Sequence, residues 1–340
     1  MSRKLTYGWL GLGTMGASMA KHLHKHSIAK GGPPALVWNR TTSKAISHAE
    51  AHGTVAVEAP EEVAEKCDVL FTMLPTSRDV QALLSTLPVR EGALVIDATS
   101  GVPETTLEIG ADLASRCGAR LVDAPVTGGA RGADAGQCTV MMGGTAADVA
   151  EAEEACSSFA VKMVNCGPLG AGALRAARRP VASACGGALM PGIRQPSPTD
   201  PAMLSSGMAV KAVNNVLNST HMMVACEGLL TLRKLGIAPE TALEVINAGS
   251  GASFVTQKMI PNFVLSEKYD FNFALGMMAK DCGIAADLVG KQIGDAGVLI
   301  PQVSKRLAAA TEELGYYADY TEATKHMERI TAAEFNKPAK

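Results

Sequence analysis

The stretch Leu5-Thr6-Tyr7-Gly8-Trp9-Leu10-Gly11-Leu12-Gly13-Thr14-Met15-Gly16 decides the fold. Its first half is a short apolar run that reads as a strand. Its second half is G-x-G-x-x-G, with Gly11, Gly13 and Gly16 as the glycines and Leu12, Thr14 and Met15 around them. A helical pattern then continues to about residue 26. Glycines at this spacing permit a tight turn, close approach of backbone to a pyrophosphate, and close packing of helix on strand. The helix N-terminus adds N–H groups and a dipole that favours phosphate. Glycine-rich turns are common, but one set between a strand and a helix points to a dinucleotide.

A second strand at 35–39 ends in Asn39-Arg40-Thr41. An acidic side chain here would hold the ribose 2′-OH of NAD. A guanidinium and a hydroxyl suit a 2′-phosphate instead, so NADP is the expected cofactor, with NAD as the alternative. The plainer reading makes Arg40 a solvated charge at a strand end. Further apolar strand patterns fall at 68–75, 93–100, 119–125 and 137–143, with helical patterns at 42–52, 77–86, 103–116 and 146–158. Alternating β and α elements predict a mostly parallel sheet covered on both faces. Ligands of such sheets lie beyond the carboxyl ends of the strands, where Leu74, Pro75, Thr99, Ser100, Thr127, Gly128 and Gly129 fall.

Bulk properties narrow the class. The 340 residues carry a formal net charge of −2 and only 4% aromatic residues. No basic field for a nucleic-acid backbone and no base-stacking platform is expected, nor a polybasic run for a membrane surface. No apolar run approaches the roughly 18 residues of a membrane span. The cysteines are scattered without CxxC pairs and the histidines lack ligand spacing, so reduced thiols and no metal are expected. A first strand starting near residue 5 leaves no room for a presequence. The expected location is therefore cytoplasmic, or organellar if a presequence is missing from this chain.

Beyond residue 208 helical periods dominate, at about 208–235, 239–248, 253–265, 273–290 and 300–314, with Gly236 and Gly249 at helix ends. The first of these helices carries Lys211, Asn214, Asn215 and Asn218 at i, i+3, i+4 and i+7, hence on one face. A polar stripe on an otherwise apolar helix is either a solvated face or the wall of a site.

Five motifs in order resemble the β-hydroxyacid dehydrogenase family: Gly11 to Gly16, Thr72-Met-Leu-Pro-Thr-Ser77, Asp123-Ala-Pro-Val-Thr-Gly-Gly129, Lys211-Ala-Val-Asn-Asn215 and Met278-Ala-Lys-Asp281. The family includes 3-hydroxyisobutyrate dehydrogenase and the glyoxylate, succinic semialdehyde and tartronate semialdehyde reductases. The resemblance implies a Rossmann-type, doubly wound α/β domain followed by an all-helical domain, often dimeric through the latter. It implies cofactor contacts at Leu74, Pro75, Asp79 and Ser100, and a substrate-carboxylate loop at Thr127, Gly128 and Gly129. It further implies Lys211 as the catalytic lysine, Asn215 as a substrate-binding amide, and Lys280 as a second lysine near cofactor and substrate. One departure is mild: the family's Ser-Thr pair is Thr99-Ser100 here. Asp281, beside Lys280, could instead form only a local ion pair, and Phe254 could wall a pocket or fill a core.

The larger departure is an interruption. The family pattern G-x-G-x-x-x-K is split between Gly170-Ala-Gly172 and Lys211 by residues 173–207, which hold five prolines and four glycines and no aromatic residue. Excising them restores the spacing, because Gly207 duplicates Gly172. The stretch reads either as a disordered surface insertion, which loop entropy tolerates, or as translated non-coding sequence. The expected organisation is 1–172 for the nucleotide domain, 173–207 for the insertion and 208–330 for the helical substrate and dimerisation domain. The expected partner is a small carboxylate or its semialdehyde. The expected reaction is hydride transfer, with Lys211 moving the hydroxyl proton; an ordinary lysine pKa of about 10.4 must be lowered for base work. The rival expectation is a catalytically silent NADP-binding protein.

Overall fold

The structure is a computed structural model that describes residues 4–167, 169 and 206–336. It divides into two compact units, Met1–Ala209 and Val210–Lys340. Most of the expected insertion, 173–205, lies outside the described residues, whereas Ser206 and Gly207 open a long helix.

In the first unit β1 (Tyr7–Leu10), β2 (Leu36–Trp38), β3 (Val55–Ala56), β4 (Val69–Thr72), β5 (Leu94–Asp97) and β6 (Arg120–Asp123) are followed by β7 (Val126–Thr127), β8 (Cys138–Gly143) and β9 (Ala160–Gly167). They form one nine-stranded sheet in the order β3-β2-β1-β4-β5-β6-β8-β7, with β9 on β8. The pairs from β3 to β6 are parallel, and β8 runs antiparallel to β6 and β7. The helices are α1 (Thr14–Ala29), α2 (Thr42–His52), α3 (Pro60–Lys66), α4 (Ser77–Leu84), α5 (Pro103–Cys117), α6 (Gly129–Asp134) and α7 (Ala146–Cys156). Because β1 pairs with β2 on one side and β4 on the other, the strand order reverses beside it, and the glycine-rich turn leaves the sheet at that crevice. Trp9 anchors the centre of the sheet, fully buried and stacked on Phe71 at 4.8 Å. The expected strands and helices of this half are present. The short β3, α3, β7 and α6 carry too few residues to register a period, and β9 has no clean alternation because its exposed residues fall in adjacent pairs.

The second unit is helical: α8 (Ser206–Lys234), which starts just before the boundary, then α9 (Pro239–Ala248), α10 (Leu275–Ile293), α11 (Leu299–Leu314) and α12 (Ala323–Thr331). Gly236 ends α8 in the left-handed region, at φ 84°. Gly249 caps α9 in extended conformation instead. The segment expected as a helix at 253–265 is π-helical over Val255–Val264, with Pro261 inside it. Proline lacks an N–H and its ring clashes with the carbonyl four residues back in an α-helix; widening the turn relieves that clash. Consistently, Leu265 N–H bonds Ile260 O, five residues back. Among the described residues, no helix is long and apolar enough to cross a membrane.

Candidate active site

The glycine turn is built by exclusion. Gly11 sits at φ 104°, and a Cβ there would lie 2.3 Å from the Met73 carbonyl oxygen. A Cβ on Gly16 would lie 2.2 Å from Gly11 O, which already accepts a bond from Trp9 Nε1 at 2.9 Å. Gly13 differs. A Cβ there would meet nothing within 4 Å, and its backbone angles (φ −73°) suit any residue. Nothing in the described fold requires glycine at 13, whereas a ligand pressed against the turn would. Gly13 also caps α1 without a side-chain bond, and the first turn carries no acid, so the N–H groups of Thr14 and Met15 face a position suited to phosphate. The residues present therefore fit a dinucleotide. Asn39 braces the turn: its Oδ1 accepts from Leu12 N–H at 2.9 Å while its amide donates to Thr41 O.

Next along the sheet, the Thr99-Ser100 pair divides its work. Thr99 is buried and its hydroxyl accepts from Leu74 N–H at 3.0 Å, while its own N–H bonds Asp97. Thr72 donates to the same Asp97 oxygen at 2.8 Å. This lattice fixes Leu74 and leaves Pro75 exposed and Ser100 half-buried at the strand ends. Asp79 and Thr76 cap α4 reciprocally, Thr76 donating to the carboxylate at 2.6 Å and accepting from Asp79 N–H. Thr127 pairs with Thr139 in β8, and the turn after it needs two positive angles, Gly128 at φ 134° and Gly129 at φ 63°. Among the described residues, nothing outside its own turn lies within 4 Å of a Cβ built on Gly129.

Arg40 and Thr41 are exposed at the start of α2, whose first turn has no acid. Beside them a hollow of about 320 Å³ is lined by Leu12, Ala17, Ser43, Lys44, Ser47 and His48. His48 Nε2 lies 2.9 Å from Ala17 O; a carbonyl only accepts, so this nitrogen carries the proton and Nδ1 faces the Thr54 hydroxyl. Burial holds the His48 pKa down, so the ring is neutral. Sequence reading passed over Lys44. The available signal was its place in the first turn of α2, just after Arg40 and Thr41.

In the second unit the polar stripe of α8 splits. Lys211 (8% exposed) and Asn215 (5%) are buried, Asn218 is half-buried, and Asn214 is open. Asn215 is gripped at both ends: its Oδ1 accepts from Asn214 at 3.1 Å, and its amide donates to Asp281 Oδ2 at 2.6 Å. Asp281 is itself buried on α10, and Lys280 Nζ stands 3.3 Å from its other oxygen. Asp281 is thus more than half of a local ion pair; it orients Asn215 from across a helix interface. The signal in sequence was its period, since Leu275, Met278, Cys282 and Ala285 line the same buried face. Phe254, 55% exposed, fills no core. Among the described residues no cluster of three or more His, Cys, Asp or Glu is placed to hold a metal.

Known proteins match along both units. A model described as the NAD binding domain of 6-phosphogluconate dehydrogenase matches residues 6–167, and one described as NAD-binding of NADP-dependent 3-hydroxyisobutyrate dehydrogenase matches 205–327. The chain belongs to the β-hydroxyacid dehydrogenase family. The 2-(hydroxymethyl)glutarate dehydrogenase of Eubacterium barkeri is 28% identical over 86% of this chain and 84% of its own. The mitochondrial 3-hydroxyisobutyrate dehydrogenase of Homo sapiens is 28% identical over 84% of this chain and 76% of its own. In fold, the Mycobacterium tuberculosis 3-hydroxyisobutyrate dehydrogenase solved with L-serine superposes with a TM-score of 0.76 at 23% identity, covering 96% of this chain and 99% of that one. This β-hydroxyacid dehydrogenase is an NAD(P)-dependent oxidoreductase. The two models leave 168–204 unmatched, which takes in most of 173–207.

Proposed function

We propose that the enzyme interconverts a β-hydroxy acid of the 3-hydroxyisobutyrate type and its semialdehyde, with Lys211 as general acid and base and NADP as the preferred cofactor. The observation that carries this reading is the burial of Lys211 and Asn215 on one face of α8, with Asn215 locked by Asp281. Lysines are rarely buried because their desolvation is costly, and buried titratable groups cluster at functional sites. The nicotinamide, when bound, accepts or supplies the hydride. In oxidation, neutral Lys211 takes the hydroxyl proton as the carbonyl forms; in reduction, its ammonium returns a proton to the aldehyde oxygen. The Asn215 amide, with one N–H and one lone pair already engaged, offers its remaining N–H to a substrate oxygen. Thr127, Gly128 and Gly129 receive the carboxylate, and Lys280 adds positive charge for cofactor and substrate.

On the cofactor side, Gly11, Leu12, Gly13, Thr14, Met15 and Gly16 take the pyrophosphate, and Leu74, Pro75, Asp79 and Ser100 line the nicotinamide half. The absence of an acid in the first turn of α2, together with Asn39, Arg40, Thr41 and Lys44, supports the 2′-phosphate. The exposed row Val210, Val213, Leu217 and Val224 on α8 supports association with a second copy. The described cysteines form no disulfide, which supports a reducing, cytoplasm-like compartment.

The test is steady-state turnover of the purified chain and its Lys211→Ala variant. The substrates are 3-hydroxyisobutyrate, succinic semialdehyde, glyoxylate and tartronate semialdehyde, each with NADPH/NADP and NADH/NAD. The expected result is turnover that falls by a factor of about 10² or more in the variant. Undiminished turnover in Lys211→Ala overturns the assignment, and binding of NADPH without turnover of any of them favours a silent binding protein.

A further inference from the structure

One turn below Asn215 on the buried face of α8 lies Ser219, and directly after Asp281 on α10 lies Cys282; both are fully buried. The Cys282 thiol donates to Ser219 Oγ at 3.4 Å. The Asn215–Asp281 and Ser219–Cys282 contacts are therefore consecutive rungs across the α8–α10 interface. A third group reaches the same oxygen. The hydroxyl of Tyr320, also fully buried, donates to Ser219 Oγ at 3.4 Å. Its backbone is pinned: Tyr320 N–H bonds Phe273 O at 2.7 Å, and Asp319 caps the short turn that carries it through a reciprocal pairing with Glu322.

Both donors keep a fixed sense. Burial pushes the Cys282 thiol up to about 12 and raises the Tyr320 phenol as well, so each keeps its proton across the working range. Three polar groups in a helical core are a poor way to gain stability, because each is desolvated and a net hydrogen bond recovers little more than that loss. Alanine, valine and phenylalanine would pack the same space without that cost. What the trio supplies is register. Rotating or sliding α10 against α8 by one residue breaks both rungs.

We propose that Tyr320, Ser219 and Cys282 form a positioning group that fixes α10 against α8, and through Asp281 sets the orientation of the Asn215 amide for substrate. The inference rests on the roles of Lys211 and Asn215 given above. Removing the Tyr320 hydroxyl should leave the fold intact and loosen the aim of Asn215. Cofactor binding, assigned above mainly to the glycine turn and the start of α2, should not change.

The experiment compares Tyr320→Phe, Ser219→Ala, Cys282→Ala and Cys282→Ser in the full chain, with Lys211→Ala and Asn215→Ala alongside. Readouts are thermal midpoint, NADPH dissociation constant, and kcat and KM separately. Expected are a midpoint unchanged or higher in Tyr320→Phe and an unchanged NADPH constant. The ratio kcat/KM should fall by roughly 5- to 20-fold, with Cys282→Ser restoring most of what Cys282→Ala loses. Adding Tyr320→Phe to Asn215→Ala should cost little more, because both act on one interaction. Parent-like kinetics in folded Tyr320→Phe and Ser219→Ala, beside an inactive Lys211→Ala, overturn the positioning group alone. An active Lys211→Ala overturns the underlying reading instead. Losses that track the midpoint, or that simply add to Asn215→Ala, assign the trio to stability and overturn the proposal.

Discussion

The buried carboxylate of Asp123, at the end of β6, accepts a hydrogen bond from the backbone N–H of Met208 at 3.1 Å. A strand-end acid thereby satisfies a donor in the first turn of α8, an anion placed at the positive end of a helix. The approach is close because Gly207 has no side chain: a Cβ there would sit 2.4 Å from the Asp123 Oδ2 and 2.5 Å from Met141 O. Asp123→Ala should lower stability by about 2 kcal/mol, a charged hydrogen bond lost in a buried place. Gly207→Ala should cost at least as much through overlap. Asp123→Asn, which keeps an acceptor, should lose less. Thermal unfolding of the three variants checks the order.

The same contact bears on residues 173–207. Deleting them puts Gly172 four residues before Lys211, where Gly207 now stands. The shortened chain should fold and turn over at a rate within a few-fold of the full one. Failure to fold would show that the stretch is part of the architecture.

Gly13 and Gly16 separate folding from binding. Gly16→Ala drives a Cβ to 2.2 Å from Gly11 O and should unfold or strongly destabilise the first unit. Gly13→Ala meets nothing within 4 Å and should leave the thermal midpoint unchanged. It should nonetheless weaken NADPH by tenfold or more, since the added methyl occupies the room of the pyrophosphate. Calorimetric titration beside thermal unfolding distinguishes the two.

Arg40→Ala and Lys44→Ala should each raise the KM for NADPH about tenfold and leave that for NADH nearly unchanged, as each removes one charged contact to a 2′-phosphate. The ratio of kcat/KM for the two cofactors is the measurement. An equal loss with both cofactors would place these side chains elsewhere in binding.

Burial holds His24, His26 and His48 below the ordinary histidine pKa. The unfolded chain thus takes up these protons at higher pH than the folded one. Their stability contribution is complete above the unfolded value of about 6.5 and is lost as pH falls through the lower folded values. The thermal midpoint should therefore decline from pH 7.5 towards pH 5. Replacing His48 with asparagine should flatten part of that decline.

Much of this enzyme was determined by local chemistry. The G-x-G-x-x-G turn, the strand-helix alternation and the Lys-x-x-Asn-Asn face follow from steric and periodic rules that act within one element, so the sheet unit, the helical unit and residues Gly11 to Gly16 were legible. What needed the folded chain is long-range pairing. The sequence could not choose between a solvated and a buried stripe on α8; packing buried Lys211 and Asn215 and left Asn214 outside. It gave Ser100 a cofactor role and Thr99 none, whereas Thr99 props Leu74 from inside and Ser100 stays half-buried at the strand end. Asp281 looked like a neighbour for Lys280, and across 66 positions it holds Asn215. Residues 253–265 read as an ordinary helix, and the chain instead widened its turns around Pro261. Each difference has one physical cause: a side chain's role is fixed by which distant groups share its burial, and periodicity within an element carries no record of them.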